Sequence, residues 1–173
     1  MLENAGAVVL LPRERDIQVN EVIADNDIST GASVFVLQIP GEPETAGRGF
    51  LLTDTLFAGD NPFMAGTSLK ISGGSALYIP EIPERGWYGV TVSYPRLIDY
   101  KGKAAVKVRH TGGVSEFVVD QSIGGGTWLW LGSFLFDAGA DPSKGSVTIS
   151  GMDGQTVLVD AVRFGGGMGN VAR

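Results

Sequence analysis

The sequence predicts an all-β protein, a β-sandwich or barrel, preceded by a short N-terminal stub from a neighbouring α/β domain. Three observations carry this prediction. From residue 21 onward, short apolar runs recur about every 8 to 12 residues, as in sandwiches and barrels. The 26 glycines and 8 prolines stand largely between those runs, where turns are expected. No convincing long helical period follows residue 20.

The predicted strands differ in how clearly they are marked. Segment 86–95 alternates, which places the odd-numbered residues from Trp87 to Ser93 on one face and the even-numbered residues from Tyr88 to Tyr94 on the other. Segment 103–121 has the pattern of a hairpin with its turn at 111–113. The other predicted strands lie in segments 21–26, 33–39, 67–86 (two strands around Gly73–Gly74), 126–136, 146–151 and 155–164, with a loop at 40–49 and irregular structure with short strands at 50–66.

The two ends of the chain differ in character from the sandwich at 21–166. Residues 1–20 contain a helix end closed by Gly6, a continuous apolar run and a charged loop, which is typical of an α/β domain. Residues 167–173 are predicted to be a linker. The N-terminal apolar run has no basic segment before it and follows Glu3, so it is not a signal peptide. No apolar run reaches the length of a membrane span.

Charge and composition limit the possible partners. The net charge of −6 and the acidic pI of about 4.7 disfavour nucleic acid, because phosphate backbones are repelled by an acidic surface. The chain has no cysteine, so it forms neither disulfides nor thiolate metal sites.

Several spaced motifs lie within residues 21–166: Asp120–Gln121, Gly126–Thr127–Trp128, Leu131–Gly132, Phe136, Gly145–Ser146–Val147–Thr148 and Asp160–Ala161–Val162–Arg163–Phe164. In this order they resemble the golvesin C-terminal-like domain, a module often labelled xanthan-lyase-associated. The resemblance implies a jelly-roll-like antiparallel β-sandwich that serves as an accessory, non-catalytic part of secreted bacterial hydrolases and polysaccharide-acting proteins.

The N-terminal stretch "LENAGAVVLLPRERD" is similar to a helix and strand of zinc-dependent N-acetylmuramoyl-L-alanine amidases, with Pro12 where that family usually has Thr. Together the two resemblances imply a sandwich inserted into, or fused beside, an amidase-like catalytic domain. They also imply a cell-envelope, periplasmic or extracellular setting. If the sandwich is inserted, segments 21–26 and 155–164 should form neighbouring strands.

Catalysis by this chain alone is not expected. A zinc amidase needs about three protein ligands, and the sequence has one histidine, His110, which is predicted to be a surface turn residue. No G-x-S-x-G nucleophile elbow is present, and the glycine runs at 124–126 and 165–167 do not fit a phosphate-binding loop. Both glycine runs are interpreted as turns.

Acidic residues offer two weaker candidates. Asp25 and Asp27, after the first strand, provide oxygen ligands for a possible structural calcium ion, but an acidic turn with local hydrogen bonds is the alternative. Apart from that calcium, no cofactor is predicted. Asp120 and Arg163, with Asp160 nearby, are predicted to form a partly buried ion pair between strands.

The tryptophans provide the candidate ligand site. Trp128, Leu131 and Phe136 match the family pattern, but a regular strand would place Leu131 on the face opposite to Trp128 and Phe136. This mismatch predicts a β-bulge near Gly132 and a core position for Trp128. Trp130 lies outside the pattern and is the preferred candidate for an exposed ring that stacks on a sugar, with core or interface packing as the alternative. Its possible companions are Trp87, Tyr94 and Tyr100.

Three functions follow as hypotheses. The first is a binding module for cell-wall glycan or another polysaccharide. The second is a structural or interaction domain that packs on an adjacent catalytic domain of the same chain. The third, a lyase or amidase active in this chain, has the least support.

Overall fold

The computed structural model describes residues 20–27, 31–49 and 66–166, and these form twelve β-strands and one short 3-10 turn. The strands are β1 (Glu21–Asp25), β2 (Val34–Gln38), β3 (Glu44–Gly49), β4 (Gly66–Ser72), β5 (Ser75–Ile79), β6 (Gly86–Ser93), β7 (Lys103–His110), β8 (Gly113–Asp120), β9 (Trp128–Phe136), β10 (Ser146–Gly151), β11 (Thr156–Val159) and β12 (Ala161–Gly165), and the 3-10 turn is Met152–Gly154.

The strands form three antiparallel sheets. One sheet has four strands in the order β1-β12-β6-β9, a second has five in the order β2-β5-β10-β7-β8, and a third has three in the order β11-β4-β3. Every named strand pair is antiparallel. The predicted antiparallel β-sandwich is therefore confirmed.

The main core lies between the four-stranded and the five-stranded sheets. Alternate residues of each strand point inward, as a sandwich requires, and Phe136 and Phe164 of the first sheet meet edge to face with ring centroids 5.5 Å apart. On the facing sheet, Tyr78 packs beside Phe35 at 5.0 Å. Each such buried aromatic side chain contributes roughly 1.5–3 kcal/mol through burial of its apolar surface.

Two local predictions, for segments 155–164 and 40–49, need correction. Segment 155–164 is not one strand: β11 belongs to the three-stranded sheet and β12 to the four-stranded sheet, with Asp160 between them. Likewise β4 and β5 flank the Gly73–Gly74 turn as predicted but belong to different sheets. The predicted loop at 40–49 contains β3, which pairs with β4 through a register shift between Thr45 and Gly47.

The first and last described strands are neighbours. β1 pairs with β12 along its whole length, from Glu21 opposite Gly165 to Asp25 opposite Ala161. The expectation that segments 21–26 and 155–164 adjoin is confirmed. The predicted amidase-like stub and the linker at 167–173 lie outside the described residues, apart from residue 20, and so does the segment 50–65. Among the residues that the structure describes, no helix has the length and hydropathy of a membrane span.

The Gly73–Gly74 turn gives a test of the fold. Both glycines have positive φ angles, 72° and 69°. A Cβ on Gly74 would overlap the Gln38 carbonyl oxygen, whereas a Cβ on Gly73 would meet only the Pro40 ring, at 3.5 Å. We expect Gly73→Ala to lower the free energy of unfolding by about 1 kcal/mol, the usual cost of a left-handed residue, and Gly74→Ala to lower it at least twice as much. Urea denaturation of both variants measures the two free energies of unfolding. Equal decreases would contradict the close contact between Gly74 and the Gln38 carbonyl of β2.

Candidate functional site

The outer face of the four-stranded sheet carries the three tryptophans singled out from the sequence. A β-bulge in β9 determines which of them point outward. Val90 of β6 lies opposite Gly132, and the next residue, Thr91, lies opposite Trp130, so Leu131 is the extra residue. Trp128 and Trp130 consequently face outward, although Phe134 and Phe136, of the same parity, face the core. The predicted bulge near Gly132 is confirmed.

One end of this outer face is buried. Trp128 is 9% exposed and packs with Ile23 and Ala161. The guanidinium of Arg163 lies 5.1 Å from the centroid of the Trp128 ring, in a cation–π arrangement. The buried position predicted for Trp128 is confirmed.

Arg163 does not pair with Asp120 as predicted. It is 1% exposed, its Nη1 lies 3.7 Å from Oε2 of Glu21, and its Nε donates a hydrogen bond to Thr91 Oγ1 at 3.3 Å. Asp120 instead lies at the surface, where its carboxylate accepts hydrogen bonds from the hydroxyl and backbone N–H of Ser122, and these bonds lower its pKa. The prediction failed because β1 supplies a carboxylate at the strand edge beside Arg163.

The other end of the outer face is open. Trp87 of β6 is 62% exposed and Trp130 is 43% exposed. The Trp130 ring lies over Gly89, and any side chain there would collide with it. Because Trp87 is two residues from Gly89, the two indoles are neighbours on one surface. We call this the tryptophan surface: Trp87, Gly89 and Trp130.

Neither tyrosine predicted as a companion joins the tryptophan surface. Tyr94 is 2% exposed, on the core face of the sheet, and its hydroxyl donates to the Ile123 carbonyl at 2.6 Å. Burial, with the charge of Asp120, raises its pKa to about 12. Its ring has no free face for a sugar, so its predicted stacking role is wrong. Tyr100 is half-buried against the core, and its hydroxyl donates to the Thr156 carbonyl at 2.6 Å.

The part of the acidic turn after β1 that the structure describes is fixed by hydrogen bonds. Both oxygens of the Asp27 carboxylate are engaged by Thr67, through its backbone N–H and its hydroxyl, each at 2.6 Å. Asp25 turns inward and accepts a hydrogen bond from the Asp27 backbone N–H at 3.1 Å. The predicted alternative, an acidic turn with local hydrogen bonds, describes the site. No group of three or more metal-ligating side chains occurs in the described ranges.

Asp25 and Asp160 form a buried acidic pair beneath this turn. Asp160 is fully buried, its carboxylate accepts a hydrogen bond from Ser93 Oγ at 2.7 Å, and its carbonyl accepts one from the Tyr78 hydroxyl at 3.0 Å. Burial raises the pKa of Asp25 to about 8, opposed by the Asp27 N–H and reinforced by the Asp160 charge. Asp25 is therefore mostly protonated at neutral pH.

His110, predicted to be a surface turn residue, is instead the last residue of β7, beside the turn, and is partly buried. Its Nδ1 accepts a hydrogen bond from the Gly112 backbone N–H at 3.1 Å, so Nε2 carries the proton that it shares with Ser115 Oγ at 2.9 Å. The imidazole packs on Phe134 with ring centroids 4.9 Å apart. These contacts hold the ring at the end of the β7–β8 hairpin.

The fold and this surface together define an antiparallel β-sandwich module, and comparison with known proteins identifies its family. The Golvesin C-terminal domain family matches residues 58–166, which is more than half of the chain. The chain therefore belongs to the Golvesin C-terminal domain family.

Two xanthan lyases are among the proteins to which the chain is similar. It is 36% identical to a xanthan lyase of Bacillus sp. (strain GL1) over 94 residues, which are 52% of this chain and 10% of that protein. The solved structure of a Paenibacillus xanthan lyase matches with a TM-score of 0.61 and 23% identity, over 83% of this chain and 13% of that one. This second likeness supports the fold. The chain spans about a tenth of the length of these relatives.

Several residues that carry the sequence resemblance to this family hold the sandwich together. Gln121 is 3% exposed, and its side-chain amide donates to the Leu158 carbonyl at 2.7 Å and accepts from the Leu158 N–H at 2.9 Å. It thus continues the hydrogen bonding of β11 where the chain turns away from β8. Gly126 donates its N–H to the Tyr94 carbonyl, and Gly145 leaves room for the Phe136 ring. Sequence reasoning did not assign the Gln121 role, which no local pattern signals.

Asp25 predicts a pH dependence of stability. Its pKa in the folded domain, about 8, is above its ordinary value of 3.8, so the folded state binds more protons than the unfolded state between these values. The stabilisation from protonated Asp25 is fully present below about pH 4 and is lost as the pH rises to about 8, with a slope of up to about 1.4 kcal/mol per pH unit. We expect Asp25→Asn, whose amide is neutral and still accepts the Asp27 hydrogen bond, to flatten this slope and to stabilise the domain at pH 8–9.

Urea denaturation between pH 4 and 9 measures the effect. Asp27→Asn is the control: it removes an exposed carboxylate that bonds Thr67 and that also raises the Asp25 pKa, but the larger effect of burial on Asp25 remains. Any pH dependence of stability that remains in Asp25→Asn comes from other groups such as Glu21. Burial raises the pKa of Glu21, and the positive charge of Arg163 partly opposes this shift. An unchanged pH profile in Asp25→Asn would mean that Asp25 is ionised in the folded domain.

Proposed function

We propose that this domain is a non-catalytic accessory module of a polysaccharide-acting enzyme and that it binds glycan on the tryptophan surface. The observation that carries the proposal is the pair of neighbouring exposed indoles, Trp87 and Trp130, on an otherwise well-packed sandwich. Membership of a family that includes part of xanthan lyases supports a polysaccharide context.

The chemistry of the surface suits a sugar. The face of an indole ring carries negative electrostatic potential, and the C–H groups on one side of a pyranose pack against it while the hydroxyls remain in water. Exposed tryptophans also lose little conformational entropy on binding, because each has only two side-chain torsions. Gly89 leaves room for the Trp130 ring, which a side chain at this position would overlap.

The setting that follows from this proposal is outside the cytoplasm or at the cell envelope, where polymeric glycans are found. The proposal leaves lyase or amidase chemistry to another part of the parent protein. Whether that part is amidase-like stays a prediction from the N-terminal sequence resemblance.

A second candidate is a structural or interaction domain inserted beside the catalytic domain. It is favoured by the β1–β12 pairing, which brings Glu21 opposite Gly165 and so both ends of the described sandwich to one sheet edge. In that case the exposed tryptophans are an interdomain contact, since tryptophan is also enriched at protein interfaces.

The binding proposal predicts that Trp130→Ala and Trp87→Ala each weaken glycan binding by about tenfold, since losing one such contact costs at least about 1.4 kcal/mol. Affinity electrophoresis against peptidoglycan fragments, uncharged glucans and acidic polysaccharides measures binding. Ile98→Ala is the control, because Ile98 is 92% exposed and lies outside the tryptophan surface. Failure of the unaltered domain to bind any of these polymers would favour the interaction domain.

A further inference from the structure

An ion pair lies at the open end of the tryptophan surface. Arg85 comes one residue before β6 and Asp137 one residue after β9, and the Arg85 Nη1 lies 3.1 Å from the Asp137 Oδ1. The side chains are 63% and 35% exposed. They are placed opposite each other by the same register that pairs Trp87 with Leu135 and Gly86 with Phe136.

The ion pair continues the tryptophan surface. Arg85 is two residues from Trp87, and Asp137 is two residues from Leu135, so alternation places all four side chains on the outer face of the sheet. Along β6 the surface therefore runs from a charged pair through an exposed indole to the Trp130 ring over Gly89. An apolar ring bordered by a few fixed polar groups is the usual composition of a small-molecule site.

We propose that the Arg85–Asp137 pair is the polar end of the glycan site and makes it selective for uncharged sugars over uronate-rich, anionic ones. This inference rests on the proposed glycan-binding function. It adds two binding residues and a ligand class to that function.

The hydrogen-bonding capacity of the pair matches a neutral sugar. A guanidinium only donates and an ionised carboxylate only accepts, whereas each sugar hydroxyl does both. Neighbouring hydroxyls can accept from Arg85 and donate to Asp137 while the ion pair stays intact. Hydrogen bonds to charged groups of this kind are the stronger ones.

An anionic sugar would meet competition and charge repulsion at the Arg85–Asp137 pair. Its carboxylate would have to compete with Asp137 for Arg85, and success would leave two carboxylates side by side. The whole chain adds to this repulsion through its net charge of −6. Removing the Asp137 charge should therefore release Arg85 for anionic ligands.

The experiment compares two classes of polymer by isothermal titration calorimetry. The uncharged probes are laminarin and hydroxyethylcellulose, and the anionic probe is polygalacturonate. Asp137→Asn is the test variant. Glu116→Gln is the matched control, because it removes one carboxylate from another cross-strand ion pair, with Lys107 at 2.8 Å, on the five-stranded sheet. Both variants change the net charge equally.

We expect the unaltered domain to bind an uncharged glucan at least tenfold more tightly than polygalacturonate, with little dependence on salt. Asp137→Asn should lose about three- to tenfold in affinity for the glucan, the effect of one hydrogen bond. It should gain affinity for polygalacturonate by a similar factor. Glu116→Gln should change neither affinity by more than about twofold.

The outcomes separate this inference from the function on which it rests. Tighter binding of polygalacturonate, still lost in Trp130→Ala, would overturn the ligand class but keep the tryptophan surface as the site. Equal effects of Asp137→Asn and Glu116→Gln would overturn the role of the ion pair. Binding of neither class, or binding unaffected by Trp87→Ala and Trp130→Ala, would overturn the proposed function itself.

Discussion

The single extra residue in β9 determines how this sandwich divides its aromatic side chains. With Leu131 unpaired, Trp128 and Trp130 face out from the sheet, and Phe134 and Phe136 face the core. A regular strand would place all four on one side, because side chains alternate with a period of two. The core would then lack its phenylalanines, or the outer face would lack its tryptophans. Both the packing of the two sheets and the candidate site depend on this bulge.

The outer face is divided again, between a buried end that stabilises the fold and an open end that is free to bind. At the buried end Arg163, Trp128 and the acidic pair Asp25 and Asp160 are packed away from water. Removing such charged and acidic groups from water costs free energy, so their net contribution to stability is small unless they are well paired and hydrogen-bonded. At the open end Trp87 and Trp130 contribute little to the core.

The sequence was sufficient for the fold class, the β7–β8 hairpin, the bulge and the burial of Trp128. It was insufficient where a local pattern does not encode a tertiary partner. Asp160 interrupts an apparently continuous apolar run because its neighbours join different sheets, and Tyr94 continues an alternating strand into the core, where its hydroxyl finds the Ile123 carbonyl. Arg85 and Asp137 are far apart in sequence, so only the β6–β9 register brings them together.

The chain contains three tryptophans, so single-tryptophan variants made by replacing the other two with Phe test the account directly. Iodide quenching of each variant should show Trp87 and Trp130 accessible and Trp128 shielded. Adding an uncharged glucan should protect Trp87 and Trp130 and leave Trp128 unchanged. An accessible Trp128 beside a shielded Trp130 would contradict the bulge, and protection of neither exposed indole by any glycan would contradict the binding site.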